Sequence, residues 1–514
     1  MNGAESLLGS LTRGGVEICF MNPGTTEIHL VAALDRVDGL RGVACLFEGV
    51  ASGAADGYAR MSGKPACTLF HLGPGLSNAL ANLHNACRAR VPIVNIVGDH
   101  ATFHRPFDPP LASDIEAIAR PFSHWLREAR DAGELGALGV EAIAASRAAP
   151  GRIATLIVPS DVAWGEGGRV AETPAAPRAA LPGTAKIEEA ARLLRNGLSS
   201  ALLLGSHTLH GAALAAAAQI SAATGAKLLA PLNFARMERG AGRPPVERIP
   251  YVTEQAIAQL APLRQLLLVG APEPVAFFGH PSRPSRLAPE TCKAFSLAEP
   301  HQDCAGALLA LADTLAAKSA RPLLQLRETP ALPQDGVITA EGVAQSVGAL
   351  LPEGAVVIDE SITSGRGLLA ATRGAPPHDW LVNTGGSIGI AVPLAVGAAI
   401  AAPGRPVLCL EGDGSLMYTL QGLWTAAREN LPITTVVFAN RSYAILKGEL
   451  AAIGTNPGPR ALEALDIAPP TIAFAELAKA LGVPGRRVTT LGEFADALRR
   501  GLASKEPNLI EVPV

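Results

Sequence analysis

The stretch from Pro406 to Ser442 constrains this chain more than any other. Pro406-Val407-Leu408-Cys409-Leu410-Glu411 is short, apolar and bounded by Pro and Gly, which predicts a buried strand. Gly412-Asp413-Gly414-Ser415 follows as a turn, and Leu416, Met417, Leu420, Leu423, Trp424 and Ala427 then recur at helical spacing. Leu431-Pro432 stops that helix, and Ile433 to Ala439 predicts a second buried strand that ends at Asn440-Arg441-Ser442. Parallel strands joined by a right-handed crossover lie close together, so Asp413 and Asn440 can reach one point at the sheet's carboxyl edge.

An acid and an amide meeting beside a glycine turn suit a hard dication that holds a diphosphate. Magnesium takes oxygen ligands in near-octahedral geometry and usually shares them with phosphates. Asp413 supplies charge, Asn440 a neutral carbonyl oxygen, and a backbone carbonyl near Ser442 a third protein ligand. Gly412 and Gly414 let the backbone approach the phosphates, and the helix that follows offers free N–H groups. Gly-Asp-Gly alone would also suit an ordinary α/β turn. The whole pattern of strand, turn, helix, strand and Asn resembles the diphosphate-binding motif of thiamine diphosphate (ThDP) enzymes. The resemblance covers nearly the whole chain, and it implies Ser415 and Tyr443 as further cofactor contacts.

A chain of 514 residues is too long for one core and predicts about three domains. Hydrophobic residues make up 48% and charged ones 17%, a rich core with a modest surface that accompanies further burial in an oligomer. A net charge of −3 and the lack of any extended basic cluster exclude nucleic acid as a partner. Seven cysteines show no metal spacing and are expected as buried thiols in a reducing cytoplasm. No basic region followed by an apolar run opens the chain, so no signal peptide is expected. Ile388 to Ala402 is too short to span a membrane and contains Pro393, so it predicts a buried core helix.

The fold expected is α/β, with three doubly wound parallel-sheet domains. Residues 1–165 alternate strands (Val16 to Met21, Val43 to Phe47, Pro65 to His71, Pro92 to Gly98) with helices, the pattern of a parallel sheet. Ligands bind at the carboxyl ends of such strands, where Thr25, Glu48, His71 and Asp99 fall. An Ala- and Pro-rich linker, including Glu172-Thr173-Pro174-Ala175-Ala176-Pro177, leads to a middle domain over residues 185–325, with strands Ala201 to Leu204 and Gln265 to Val269. A second linker near Glu328 to Asp335 precedes the third domain, residues 336–514. The middle domain has no Gly-x-Gly-x-x-Gly fingerprint, and FAD is not expected.

Glu48 stands within Leu46-Phe47-Glu48-Gly49-Val50, an acid in an apolar run at a strand end. Burial raises a carboxyl pKa unless a partner offsets it, whereas a lone acid there could simply favour the helix dipole. The run from Glu48 to Ala59 resembles the ThDP-enzyme pyrimidine-domain motif. In that family the Glu bonds N1′ of the aminopyrimidine and promotes the imino tautomer, whose nitrogen takes the thiazolium C2 proton. Asn383-Thr384-Gly385-Gly386-Ser387-Ile388-Gly389 resembles the family segment that holds the cofactor bent. The resemblance implies Ile388 as the apolar wedge between the rings and the Gly386 carbonyl as acceptor of the 4′-amino group.

Two branches of the family compete. Asn22-Pro23-Gly24-Thr25-Thr26-Glu27 and Leu69-Phe70-His71-Leu72-Gly73 resemble benzoylformate decarboxylase, in which a Ser matches Thr25 and a His matches His71. A second family His matches His280 in Ala276-Phe277-Phe278-Gly279-His280-Pro281. A histidine pair suits proton delivery after carbon dioxide leaves, although His71 could be satisfied by backbone and His280 could be an exposed loop residue. Acetolactate synthase catalytic subunits are also similar over the Glu48, Gly73-Pro74-Gly75 and Gly-Asp-Gly segments. Their Gln-Glu pair is missing from the loop Phe107 to Asp114, and Ile445, Leu446 and Glu449 stand where aromatic pocket walls are found.

The expectation is thus a cytoplasmic ThDP- and Mg2+-dependent enzyme that decarboxylates a 2-oxo acid to an aldehyde. Acetolactate-type carboligation without FAD is the alternative, and a silent cofactor-binding subunit a third reading. The family arrangement further implies a homodimer or homotetramer whose sites are shared between subunits, with pyrimidine held by one chain and diphosphate by the other.

Overall fold

The computed structural model describes residues 1–514 apart from Thr173, Ala176 and Pro177, and the side chain of Ser206. Part of the first expected linker thus lies outside the described residues. The first sheet contains β1 (Ile18–Asn22), β2 (Arg41–Ala44), β3 (Ala66–Phe70), β4 (Ile93–Asp99), β5 (Trp125–Glu128) and β6 (Ile153–Pro159). Their order is β2-β1-β3-β4-β6-β5, every pairing parallel. Apolar runs such as Ile93–Asp99 are buried on both faces, as a sheet covered by helices requires.

Farther along lie β7 (Ser200–Leu204), β8 (Lys227–Ala230), β9 (Met237–Arg239), β10 (Glu247–Arg248), β11 (Gln265–Val269) and β12 (Lys293–Ala298). Five of these form a parallel sheet in the order β10-β8-β7-β11-β12. The third sheet is built from β13 (Val356–Glu360), β14 (His378–Val382), β15 (Val407–Gly412), β16 (Ile433–Ala439), β17 (Gly485–Arg487) and β18 (Asn508–Pro513). Its order is β17-β18-β16-β15-β13-β14-β9, so β9 leaves the middle stretch to pair antiparallel with β14. The fold is α/β, with three sheets dominated by parallel pairing.

The first and third sheets share one hydrophobic core. Val50, Ala54 and Leu83 pack in the same cluster as Val392, Leu394 and Leu416. The contact is close because Gly57 leaves no side chain; a Cβ there would lie 2.1 Å from the Leu394 carbonyl oxygen. Beside it Asp56 and Arg60 form a fully buried ion pair, and Arg60 also donates to the Val382 carbonyl (2.7 Å) and the Thr384 hydroxyl (3.0 Å). The segment read as a buried core helix forms Ala391–Ala401, almost wholly buried. No helix among the described residues is long and apolar enough to cross a membrane.

The helix expected after Gly-Asp-Gly divides into two, Asp413–Thr419 and Gly422–Arg428. Apolar spacing carries across the break because both pieces present the same face to the Ala391–Ala401 helix. Gly422 sits where a Cβ would lie 2.8 Å from Val392.

Candidate active site

In the third sheet β15 and β16 are paired in register, Gly412 opposite Phe438, which sets Asp413 and Asn440 just past neighbouring strand ends. Asp413 is 2% exposed. Its Oδ1 accepts from Gly414 N (2.8 Å) and its Oδ2 from Arg441 N (2.6 Å). Burial pushes its carboxyl pKa up, against the pull of those two backbone donors. Asn440 Oδ1 accepts from Ser442 N at 3.0 Å. The donor set is all oxygen, and its protein bonds come only from backbone N–H groups, which leaves lone pairs for a hard cation. Ser415 is buried in the same turn, and the Tyr443 ring lies against Gly414, where a Cβ would come 2.7 Å from the ring.

The segment carrying Gly386 and Ile388 is fixed from below by two side chains. Asn383 Oδ1 accepts from Gly386 N (2.7 Å) and Gly385 N (3.2 Å), while its amide donates to the Ser387 carbonyl (2.7 Å) and to Glu360 Oε1 (2.7 Å). Glu360 Oε2 accepts from three successive N–H groups, Gly389, Ile390 and Ala391, at 2.9–3.1 Å. Burial pushes the Glu360 pKa up to about 7 even against these donors. Glu411 stands opposite it in the β13–β15 register and is also buried, which holds its own carboxyl well above the usual range. Gly386 has φ +83° and Ile388 is half-buried. Phe277 abuts Gly386 from the middle stretch and meets the Tyr251 ring at 5.6 Å with the planes tilted by 54°, and Tyr251 donates to Glu449 at 2.9 Å.

The first sheet gathers a second group at the ends of three adjacent strands. Glu48 opens the Glu48–Ser62 helix, is 7% exposed, and accepts at Oε2 from Asn78 Nδ2 (3.0 Å). His71 follows β3, and its Nδ1 lies 2.8 Å from Glu27 Oε2. Glu27 is fully buried, accepts from Gly24 N (2.8 Å) and the Thr26 hydroxyl (2.5 Å), and reaches across to Gly98. The Gly24 position must lack a side chain, since a Cβ would lie 2.2 Å from His71 Nδ1.

Thr25 itself is exposed, and the neighbouring Thr26 hydroxyl is the one that approaches His71, at 3.3 Å. Asp99 turns away into an ion pair with Arg105 at 2.8 Å. His280 accepts at Nδ1 from Ser282 N (3.2 Å), and its Nε2 is buried without a partner among the described residues. Its loop lies beside Gly386, not beside His71. Among the described residues no hydrogen bond or ion pair joins Glu48 or His71 to Asp413, Asn440 or Gly386.

Glu27, Thr26, Asn78 and Glu360 join these groups without having been expected there as site residues. Glu27 carried a signal, an acid three residues after Gly24 in Asn22-Pro23-Gly24-Thr25-Thr26-Glu27. Glu360 carried one too, as an acid closing the apolar run Val356 to Ile358.

Comparison with known proteins bears on both groups. Residues 1–118 match the N-terminal, and residues 366–512 the C-terminal, TPP-binding domain of thiamine pyrophosphate enzymes. A Mycobacterium tuberculosis protein provisionally named acetolactate synthase large subunit IlvX is 53% identical over 100% of this chain and 99% of its own length. Benzoylformate decarboxylase of Pseudomonas aeruginosa is 28% identical over 98% of this chain and 97% of its own. The solved structure of a ThDP-dependent 4-hydroxybenzoylformate decarboxylase from Rhodococcus jostii RHA1 shares the fold, with a TM-score of 0.88 at 23% identity, covering 100% of this chain and 99% of that one. The chain belongs to the thiamine pyrophosphate enzyme family.

Proposed function

We propose that the chain is a ThDP- and Mg2+-dependent enzyme that decarboxylates a 2-oxo acid and releases an aldehyde. The observation that carries this reading is Glu48, an acid kept in a buried position with one amide donor. Bound ThDP supplies an acidic C–H on its thiazolium, and a ring that accepts the electron pair left when carbon dioxide departs. Asp413, Asn440 and the Ser442 carbonyl would hold Mg2+, with Gly412, Gly414, Ser415 and Tyr443 around the diphosphate. Gly386 would accept from the 4′-amino group, and Ile388 would fill the bend.

Glu48 would share its proton with the pyrimidine N1′, a role that needs an acid shielded from water. His71 would handle the proton that follows carbon dioxide loss. Glu27 fixes its Nδ1–H as donor and leaves Nε2 to give or take a proton. Thr25 and His280 would join His71 only in an assembled site, since within one chain Thr25 is exposed and the His280 loop lies beside Gly386. Among the described residues no hydrogen bond or ion pair joins Glu48 to Asp413 within the chain, which supports a site shared between two subunits of a homodimer or homotetramer.

A specific observation favours a second outcome. The relative at 53% identity carries an acetolactate synthase name, so joining the decarboxylated fragment to a second carbonyl is the competing reaction. A panel of 2-oxo acids incubated with ThDP and Mg2+ tests both. Aldehyde release supports the first reading and acetolactate the second. A chain that binds ThDP yet turns over none of the panel would overturn both.

A further inference from the structure

The helix Leu72–Ala89 carries three asparagines at positions 78, 82 and 85, the spacing that lines one face of a helix. Asparagine is a poor helix former in water, because its side chain competes for backbone bonds. Here all three amides are spent across the helix surface. Asn78 Nδ2 donates to Glu48 Oε2 at 3.0 Å. Asn82 Nδ2 donates to the Gly49 carbonyl at 2.8 Å and reaches the Gly389 carbonyl at 3.5 Å. Asn85 Nδ2 donates to the Ser387 carbonyl at 2.8 Å and to Asn82 Oδ1 at 3.0 Å, and its own Oδ1 accepts from Ser387 N at 3.2 Å. His84, beside the stripe, donates from Nε2 to the Gly385 carbonyl at 3.1 Å.

Asn82 and Asn85 are 2% and 0% exposed. A buried amide left unpaired costs about 1–3 kcal/mol, so these side chains are held to their partners. The helix between them is rigid over the short rise from Asn78 to Asn85. Its partners are the two pieces of the chain that the proposed function needs most: the acid Glu48 and the loop 385–389 with its wedge Ile388.

We propose that Asn78, Asn82 and Asn85 are positioning residues that fix Glu48 and the 385–389 loop to one rigid element. The proposal rests on the functional reading above. In a site shared between subunits, the stripe then sets the acid of one site and the wedge of its neighbour together. None of the three contacts the reacting atoms.

The test uses the full-length holoenzyme, reading ThDP affinity by titration calorimetry and C2 proton exchange of bound ThDP by quenched-flow NMR. The wild-type titration comes first, and absence of binding would overturn the functional reading and this proposal with it. Given binding, Asn78→Ala and Asn85→Ser should each slow exchange about 10-fold while ThDP affinity stays within about 3-fold. Asn78→Asp, which sets a like charge against Glu48, should slow it further, and Asn78→Gln should recover most of the rate. The double variant should fall short of the product of the singles, as residues of one network do. Asn78 is exposed, so its variants keep the fold. Should Asn85→Ser not fold, His84→Ala replaces it. Exchange within twofold of wild type in either single variant would overturn the proposal. So would a loss of ThDP affinity as large as the loss of exchange, the mark of a merely structural role.

Discussion

The carboxyl edges of the first and third sheets are built alike and equipped differently. At the third-sheet edge the side-chain oxygens of Asp413 and Asn440 are met by backbone donors, Gly414, Arg441 and Ser442 N–H. Backbone donors stay put once the strands pair, so this edge is a fixed cradle of oxygen atoms. At the first-sheet edge the partners are mostly side chains, Asn78 on Glu48, Glu27 on His71 and Thr26 on Glu27, with one backbone donor, Gly24 N, on Glu27. Such bonds can rearrange as protons move. The difference supports the proposed division, in which the third sheet would anchor the cofactor and the first would move protons.

Substitutions sharpen that division, and the largest effect belongs to the anchor. Asp413→Ala should abolish ThDP retention, since it removes the acid proposed to face Mg2+ and the diphosphate. Calorimetric titration with ThDP and Mg2+ reads this, and unchanged affinity would remove Asp413 from the site. Glu48→Gln should leave affinity nearly intact and slow C2 exchange by about 10³-fold, because an amide cannot share a proton with N1′. A near-native exchange rate would reduce Glu48 to a helix-terminal charge.

His71→Ala should lower turnover about 10²-fold with ThDP affinity retained, and Glu27→Gln, which frees the imidazole tautomer, about 10-fold. Steady-state rates beside calorimetry separate the two quantities. Equal losses in binding and turnover would mark His71 as structural and blur the contrast between the edges.

How far these edges were legible in the sequence follows from the same contrast. The third-sheet unit was read almost whole, because strand, turn and strand are local and their apolar runs have clear ends at Pro406 and Pro432. Its helix divides at Leu420–Gln421, just before Gly422 passes close to Val392, and local apolar spacing does not register such a break. In the first sheet Glu48 and His71 were visible as polar residues at the ends of apolar strands. Asn78 was not, because its role depends on a helix lying across the sheet edge. Glu360 was missed for a like reason, since its three donors are some thirty residues away, about the length of a βαβ connection. The strand β9 had no signal either, as it pairs with β14 far along the chain.

The smallest effect concerns pH. Glu360 has a folded pKa raised to about 7, above its ordinary value, so the fold binds its proton more tightly than the unfolded chain does. Its contribution to stability is therefore full below the ordinary carboxyl pKa and is lost as pH rises toward 7. Glu360→Gln, which keeps an oxygen for the three N–H groups, should flatten the fall in thermal midpoint between about pH 5 and 7. Parallel melting curves for the two proteins check this. An identical pH slope would mean the Glu360 proton does not follow folding.

Glu48 and Asp413, on different sheets, are proposed to serve one cofactor across a subunit boundary. Mixing inactive Glu48→Gln and Asp413→Ala subunits under exchange conditions tests it most directly. A hybrid dimer then carries both lesions in one site and none in the other. Random exchange of equal amounts makes half the dimers hybrid, so activity should return to about a quarter of wild type. A mixture that exchanges subunits, verified by mass spectrometry, and stays inactive would show that each chain builds its own site.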